Sequence, residues 1–427
     1  MHVKNGMRQE ILIVVVVLLS IVGVFKPKIG LAAYTVFGLT RPDVLSYSHG
    51  DFPYSLLLAA GAGIGSIREL GGASVLLQTP ITLGLVSLYA TLAASSYFAL
   101  DPAASMSALN LFTRTVLMCL LIPILIRTYE DLKKFILVVA LSLGVVGVKF
   151  GLGGIISGGG QYTGGIGGFM DDNNTLAVGF VMVLPMCWYA REAVEGRWTR
   201  GLLTLCSVMT VMAIIMSFSR GAAIALACVL VMISLRSGRK MMALILLAFL
   251  LVPAFFLVGH SYVDRLSTLR NPSEESSAAS RLRQNEIAWE LWKERPWTGV
   301  GFGGKNYMRV TEEPVVIHNT YLQILVDSGL FACLTFSSLL LFTICWLGHT
   351  CNPDRTPPEY LWLPRALQTA LVGFGIDAVF HPRCTFDFTY MLLMASACWY
   401  VIWRRELAGS VEFSDDETPT SVTSAAL

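Results

Sequence analysis

The sequence is short of charge: Asp, Glu, Lys and Arg make up 14% of its 427 residues, whereas soluble domains carry about 25%. Apolar residues make up 54% of the chain, and the mean hydropathy is +0.63. This composition excludes a soluble enzyme with one targeting segment, and it excludes a disordered chain. The sequence therefore predicts a polytopic membrane protein.

Paired cysteines and a strong net charge are also missing. The nine cysteines include no CxxC pair, and most lie in apolar runs, where cysteine behaves as a small hydrophobic residue. This pattern argues against a disulfide framework or a cysteine metal site. The formal net charge of +2, with no basic stripe, argues against nucleic acid as a partner.

Thirteen apolar runs predict an all-α fold with about 12 transmembrane helices. The runs at 29–40 and 54–65 are short for a span of roughly 20 residues. If all thirteen runs cross the membrane, the N-terminus lies outside although it carries Lys4 and Arg8. Demoting one short run gives twelve spans with both termini inside, and this is the preferred arrangement. The first run, Ile11–Phe25, has no cleavage site after it, so we expect it to remain as a helix.

One polar segment interrupts the apolar runs. Residues 259–317 contain 16 of the 60 charged residues, eight of each sign. The predicted divisions are N-terminal transmembrane helices (1–258), a large, partly helical loop (259–317), C-terminal transmembrane helices (318–405) and a disordered cytoplasmic tail (406–427).

Four short loops are rich in Lys and Arg, and the positive-inside rule predicts that they are cytoplasmic. The turn at 217–220, the 259–317 loop and the glycine-rich 151–173 segment then face outward. The four basic loops are 127–134, 191–200, 236–240 and 404–405.

Arg220 is the first candidate for chemistry, because it lies in a break of one or two residues between two predicted spans. An arginine at a span end can extend to the lipid headgroups as an anchor. The tight turn and the adjacent Gly221 favour a fixed, inward-facing guanidinium instead. A planar guanidinium suits a phosphate group, because it donates two parallel hydrogen bonds.

The polar loop contains a second group of candidates. Apolar residues between 287 and 292 predict an amphipathic helix that ends at Pro296. The alternative is an interfacial helix with a tryptophan belt and solvated arginines. The glycines at 299, 301 and 303 have no preceding strand, so they predict a tight loop and not a nucleotide site. The candidates on the helix are Arg281, Arg283, Trp289 and Trp292.

His318 follows this loop at a predicted outer interface. Neutral imidazole accepts a proton near pH 7, so His318 is a candidate general base. The alternative is a packing or capping role, for which Asn319 is the better residue. His381, in the sequence His-Pro-Arg at another outward helix end, is a weaker candidate for the same surface.

Asp171 and Asp172 are adjacent carboxylates in the glycine-rich segment. They suit either a divalent metal or a helix start capped by Asn173 or Asn174. Two adjacent carboxylates supply few of the ligands that a divalent metal ion needs, so the prediction includes no metal site.

These motifs, in this order, resemble the O-antigen ligase and O-antigen polymerase superfamily of bacterial cell envelopes. The resemblance rests on Arg220-Gly-Ala, Ser280-Arg281, Pro296-x-x-Gly-Val-Gly and His318-Asn319, with Gly329 downstream. The Asp-Asn-Asn that starts at Asp172, the downstream Pro185 and the 149–154 stretch are most similar to the exosortase-associated O-glycosylation ligases. Ala332 departs from the usual ligase pattern, which leaves ligase and polymerase both open.

The resemblance implies a GT-C-like inverting glycosyltransferase, multi-pass in the inner membrane, with its active site facing the periplasm. The donor would be a glycan on undecaprenyl diphosphate and the acceptor the lipid A-core sugar of lipopolysaccharide, with no metal or cofactor. The catalytic residues would be His318, Arg220 and Arg281, and the substrate-binding residues Arg283, Asn319, Trp289 and Trp292. The alternatives are an O-antigen polymerase, a protein O-glycosyl ligase and a secondary transporter. The sequence leaves the glycan and the oligomeric state open.

Overall fold

A computed structural model describes residues 2–45, 52–159, 161–162, 164–237, 277–304, 306–307 and 317–407, without the side chains of 2–7, 45 and 277–282. This part of the chain is almost entirely helical. The helices are α1 (His2–Phe25), α2 (Pro27–Thr40), α3 (Pro42–Leu45), α4 (Tyr54–Ser66), α5 (Pro80–Tyr97), α6 (Pro102–Leu125), α7 (Tyr129–Ile156), α8 (Asn173–Ala190), α9 (Arg197–Met216), α10 (Arg220–Arg236), α11 (Ser277–Glu294), α12 (Thr320–Thr350), α13 (Trp362–Asp377) and α14 (Asp387–Ile402). A 3₁₀ segment, Ile67–Leu77, continues α4, and a π-helical turn, Trp403–Leu407, follows α14. The hairpin consists of β1 (Gly164–Gly167) and β2 (Met170–Asp172), which pair antiparallel.

Helices α1, α6, α7, α9 and α12 are long and apolar enough to cross a membrane. The 54–77 segment and α5 form a bent pair that makes a sixth candidate span if the pair counts as one. The helical architecture agrees with the all-α prediction. The predicted number of about 12 spans stays a prediction, because several other helices in the described ranges are shorter than a typical span.

The helices run between two ends of one bundle. Lys28 and Asp131 form an ion pair of 2.6 Å that joins the starts of α2 and α7. The indole of Trp362 donates to the Tyr129 hydroxyl at 2.8 Å, which adds the start of α13. Arg236 at the end of α10 donates to the Arg365 carbonyl and the Thr369 hydroxyl in the first half of α13. We call this the basic end, and the other, where α8, α10 and α12 begin, the site end.

The α1 helix starts at the site end, which differs from the preferred arrangement with both termini inside. Its last residue, Phe25, directly precedes α2, whose first turn lies at the basic end. The two short apolar runs form α2 and α4, and small residues let them pack tightly against α1. A Cβ on Gly30 would lie 2.8 Å from Gly23 and 3.1 Å from Ala62. Short helices are tolerated here because they are buried against one another.

The long α12 helix is broken at Gly329, whose φ is +80°. Residues 296–301, which begin with a turn, fill the break. The Leu330 N–H and the carbonyls of Val326 and Asp327 hydrogen-bond to this segment at 2.8–2.9 Å. These bonds satisfy backbone groups that a broken helix leaves unpaired. The predicted tight glycine loop is therefore the segment that enters the break.

Helix α11 ends two residues before Pro296, as the apolar spacing predicts. Its buried Ala288 and Leu291 cluster with Ile317 and Val326 at the start of α12. The described helix of this loop, α11, therefore packs at the site end.

Candidate functional site

The turn between α9 and α10 places Arg220 at the site end. The Ser219 hydroxyl caps α10 by accepting a hydrogen bond from the Ala222 N–H. Phe218 precedes it with φ of +55°, a left-handed conformation that is rare for a bulky residue and is often found at functional sites. Arg220 is the first residue of α10, and its side chain is exposed.

A backbone carbonyl of this turn accepts hydrogen bonds from the residues that flank the hairpin. The Ser217 carbonyl accepts hydrogen bonds from the side-chain amides of Asn173, at 2.8 Å, and Gln161, at 3.1 Å. The start of α8 and the start of α10 are therefore held together, although 44 residues separate the bonded pair.

Gly221 brings a histidine against the start of α10. A Cβ built on Gly221 would lie 2.7 Å from Cε1 of His381 and 2.8 Å from the Phe380 Cβ. No side chain fits between these groups without displacing them. Glycine at this position thus lets His381 lie against the first turn of α10.

His381 is held by a buried carboxylate. Its Nδ1 lies 3.0 and 2.9 Å from the two carboxylate oxygens of Asp377, which is fully buried. A carboxylate at this distance fixes the tautomer with the proton on Nδ1 and leaves Nε2 as the second ring nitrogen. Asp377 is the last residue of α13, and the turn that follows brings His381 back onto its carboxylate.

Thr320 connects the start of α12 to the same segment. Its N–H donates to the Ala378 carbonyl at 2.8 Å, and its hydroxyl donates to the His381 carbonyl at 2.6 Å. The hydroxyl also accepts from the Arg383 N–H at 2.7 Å. His318 lies two residues before Thr320, so its Cα lies within about 7 Å of the Thr320 Cα.

Arg383 and Asp172 form an ion pair of 3.7 Å at the site end. Burial lowers the pKa of Arg383, whose Nε has no hydrogen-bond partner among the described residues. Burial alone would raise the pKa of Asp172, but hydrogen bonds from Thr175 and Asn174 and the Arg383 charge hold that pKa below its ordinary value.

Asp172 is the N-cap of α8, where the sequence offered Asn173 or Asn174 as the cap and a metal as the alternative. The N–H groups of Asn174 and Thr175 donate to one Asp172 oxygen at 2.7 and 2.9 Å, and the Thr175 hydroxyl donates to the other. The carboxylate therefore serves helix capping and the ion pair with Arg383.

Of the predicted site residues, Arg220, His318 and Asn319 lie within two residues of Gly221 or Thr320, which contact the loop that follows α13. Asn319 caps α12, because its side-chain oxygen accepts from the N–H groups of Tyr321 and Leu322. This is the capping role that the sequence favoured for Asn319, and it leaves the amide nitrogen for other contacts.

The α11 candidates lie on the other side of the start of α12. Arg281 belongs to α11, but its side chain lies outside the described residues, and the Arg283 side chain is exposed. Trp289 and Trp292 pack with ring centroids 4.8 Å apart. The Trp292 indole donates to the Pro296 carbonyl at 3.2 Å, so it also supports the turn after α11.

A separate cavity of about 200 Å³ lies between α2, α6, α14 and the hairpin turn. Asp387 lines it and accepts a hydrogen bond from the Thr115 hydroxyl at 2.8 Å. Phe169 of the hairpin turn also lines it and contacts Phe386 edge to face. None of the predicted site residues lines this cavity, so they belong to a different surface of the described structure.

Sequence reasoning gave too little weight to the segment from Asp377 to Arg383. In the sequence, Asp377 is a single charge inside an apolar run, and His381 is a weaker candidate. Their four-residue spacing was a usable signal, because it can bring a carboxylate and an imidazole together across one turn of the chain. Their contact with Gly221, far away in the sequence, gave no such signal.

Two family models match the chain. Residues 205–337 match the family described as O-Antigen ligase, and residues 7–194 match a family of unknown function. No curated protein matches the chain. The first match contains the start of α10, α11 and the start of α12, whereas the 377–383 segment lies beyond both.

Proposed function

We propose, from the membership of this chain in the O-antigen ligase superfamily that residues 205–337 support, that it is an O-antigen ligase of the bacterial inner membrane. It transfers a glycan from undecaprenyl diphosphate to the lipid A-core sugar, as a GT-C-like glycosyltransferase with inversion at the anomeric carbon. One observation carries the proposal. The start of α10 with Arg220 and the start of α12 after His318 both contact the segment from Ala378 to Arg383.

The site end faces the periplasm in this proposal. Arg127, Arg191, Arg200 and Arg405 flank helix termini at the basic end. Lys and Arg in short loops mark the cytoplasmic side, so the site end lies on the opposite side. A lipid-linked glycan on the periplasmic leaflet would then reach the site from the membrane.

The arginines stabilise the leaving diphosphate. Its negative charge rises as the glycosidic bond breaks, so a fixed guanidinium lowers the barrier more than it stabilises the bound donor. Arg220 lies at the start of α10, where the helix dipole also favours an anion. We assign the diphosphate to Arg220 and Arg281, with Arg283 as a neighbouring cation.

His318 accepts the proton of the acceptor hydroxyl. This hydroxyl attacks the anomeric carbon from the face opposite the diphosphate, so the C–O bond to the acceptor forms as the bond to the phosphate oxygen breaks. The electron pair leaves with the diphosphate, and the proton passes to imidazole. The Asn319 amide would bind a glycan hydroxyl, and Trp289 and Trp292 would hold the lipid-linked donor near the headgroups.

The same donor chemistry serves a polymerase, whose acceptor is a second lipid-linked glycan, or a ligase that modifies a protein hydroxyl. A secondary transporter is the alternative outside enzymes. A transporter would place its ionisable residues at a cavity reached from both sides of the membrane, whereas Arg220, Asp172 and Arg383 lie together at one end.

Paired substitutions test the proposed roles of Arg220 and His318. The Arg220→Ala protein should transfer glycan about 10²–10³-fold more slowly, since one preorganised donor is lost. The His318→Ala protein should lose about 10²–10⁴-fold, since proton transfer is no longer assisted. Transfer is measured with purified protein, lipid-linked glycan and lipid A-core.

Matched controls lie at the basic end. Arg197 is the exposed first residue of α9, as Arg220 is of α10, and His349 is an exposed histidine near the end of α12. Arg197→Ala and His349→Ala should transfer at the parental rate. Parental rates for Arg220→Ala or His318→Ala would remove that residue from the mechanism.

A further inference from the structure

The His381–Asp377 pair has no role in the proton transfer assigned to His318. We propose that His381, in its protonated form, binds a phosphate oxygen of the lipid-linked donor, so that donor binding takes up a proton. This inference rests on the proposed function and adds a third, proton-dependent cation to the diphosphate site.

The ring is oriented for such a contact. Both Asp377 oxygens engage Nδ1, and the described structure gives Nε2 no partner. The His381 side chain is 12% exposed, so most of the ring is buried and a small part is accessible from outside. In the imidazolium form Nε2 carries a proton and can donate it to an anionic oxygen.

The neighbouring backbone also suits an anion. The His381 ring contacts the position of the Gly221 Cβ, so it lies at the first turn of α10. The Ser219 cap engages the Ala222 N–H. In the part of the chain that the structure describes, the N–H groups of Arg220 and Gly221 have no acceptor, and a phosphate beside the ring at the start of α10 would supply one.

The charges around His381 explain why donor binding and proton uptake are coupled. Asp377 favours the imidazolium, whereas Arg220, Arg383 and the positive end of α10 oppose it. Arg383 is itself paired with Asp172. A bound diphosphate adds negative charge next to the ring and tips this balance toward the protonated form.

His381 and His318 therefore have separable effects. Loss of His381 weakens donor binding at low pH and has little effect on the rate of the bound complex. Loss of His318 slows the chemical step and leaves the proton uptake intact.

Calorimetric titration of the full-length protein in detergent tests the inference. The probe is a short-chain prenyl diphosphate N-acetylglucosamine, a diester with no phosphate that titrates near neutral pH. Titrations in HEPES and in Tris at one pH give the number of protons taken up, because the two buffers differ in ionisation enthalpy. The parental protein should take up roughly half to one proton, and its Kd should rise roughly tenfold between pH 6.5 and 8.5.

Two variants give the comparison. His381→Gln keeps a hydrogen-bonding side chain but cannot titrate, so its proton uptake should fall to about zero and its Kd should not change with pH. His318→Ala should take up protons as the parental protein does. Equal uptake by His381→Gln and the parental protein overturns the inference and leaves the proposed function standing. Failure of the parental protein to bind the probe at any pH overturns both.

Discussion

The lack of a Cβ atom at Gly221 determines how closely His381 and Phe380 approach α10. Glycine inside a helix normally costs about 0.5–1 kcal/mol relative to alanine, yet here it admits the His381 ring and the Phe380 side chain. The benefit is a contact between two segments that are 160 positions apart in the sequence. Such a contact sets where His381 lies relative to Arg220, so the glycine belongs to the site although it carries no functional group.

Gly221→Ala should therefore lower glycan transfer without the gain in stability that alanine usually brings to a helix. The added methyl must displace Phe380 or the imidazole, and we expect a loss of about 1–3 kcal/mol in unfolding free energy from overpacking. Thermal unfolding in detergent and the transfer rate measure the two effects.

Gly63 is the control for this substitution, because a Cβ there meets nothing within 4 Å and it lies in α4. Gly63→Ala should leave stability unchanged or slightly higher. Equal behaviour of the two alanine variants would contradict the packing argument.

The broken helix α12 is the feature that connects elements at the site end. Its break at Gly329 admits residues 296–301, and α11 packs on its first turns. The segment between α11 and α12 is thereby anchored at both of its ends. The position of Arg281 on α11 relative to His318 depends on this anchor.

Gly329→Ala should destabilise the protein more than the usual glycine substitution. Alanine is strained at φ of +80°, and its Cβ would overlap the Trp297 carbonyl. Strain of this kind costs about 1–3 kcal/mol, and the clash adds to it. The measurement is the yield of monodisperse protein and its melting temperature, beside Gly201→Ala, whose Cβ meets nothing within 4 Å. A melting temperature equal to that of the control would show that the break tolerates a side chain.

The two ends of the whole molecule differ in charge, and this difference gives the orientation. Phe218 at the site end is 62% exposed and Trp198 at the basic end is 81% exposed, so both positions accept a reporter cysteine. In intact cells with a permeable outer membrane, Phe218→Cys should react with an impermeant maleimide, and Trp198→Cys only after the inner membrane is opened. The chain without an added cysteine gives the background. The reverse labelling would contradict a periplasmic site.

Local sequence patterns predicted much of the helical fold. The alternating apolar runs and basic loops predicted the helical bundle with its two kinds of ends, and Pro296 predicted the end of α11. A short motif predicted that Arg220 lies in a tight turn between two helices, and its role in the site stays a prediction. The pairing of His381 with Asp377 and its contact with Gly221 depend on tertiary packing, which no local pattern encodes. The packing of the short α2 and α4 helices against α1 also depends on tertiary contacts, and the number of spans that they form stays a prediction.

Product analysis tests whether the protein is an O-antigen ligase. Purified protein is incubated with radiolabelled undecaprenyl-diphosphate glycan and lipid A-core, and the labelled products are separated. Label should move to lipid A-core, and Arg220→Ala should slow this transfer by about 10²–10³-fold whereas Arg197→Ala should not. Label that appears only in longer chains on the undecaprenyl carrier, or no transfer at all, would contradict this function.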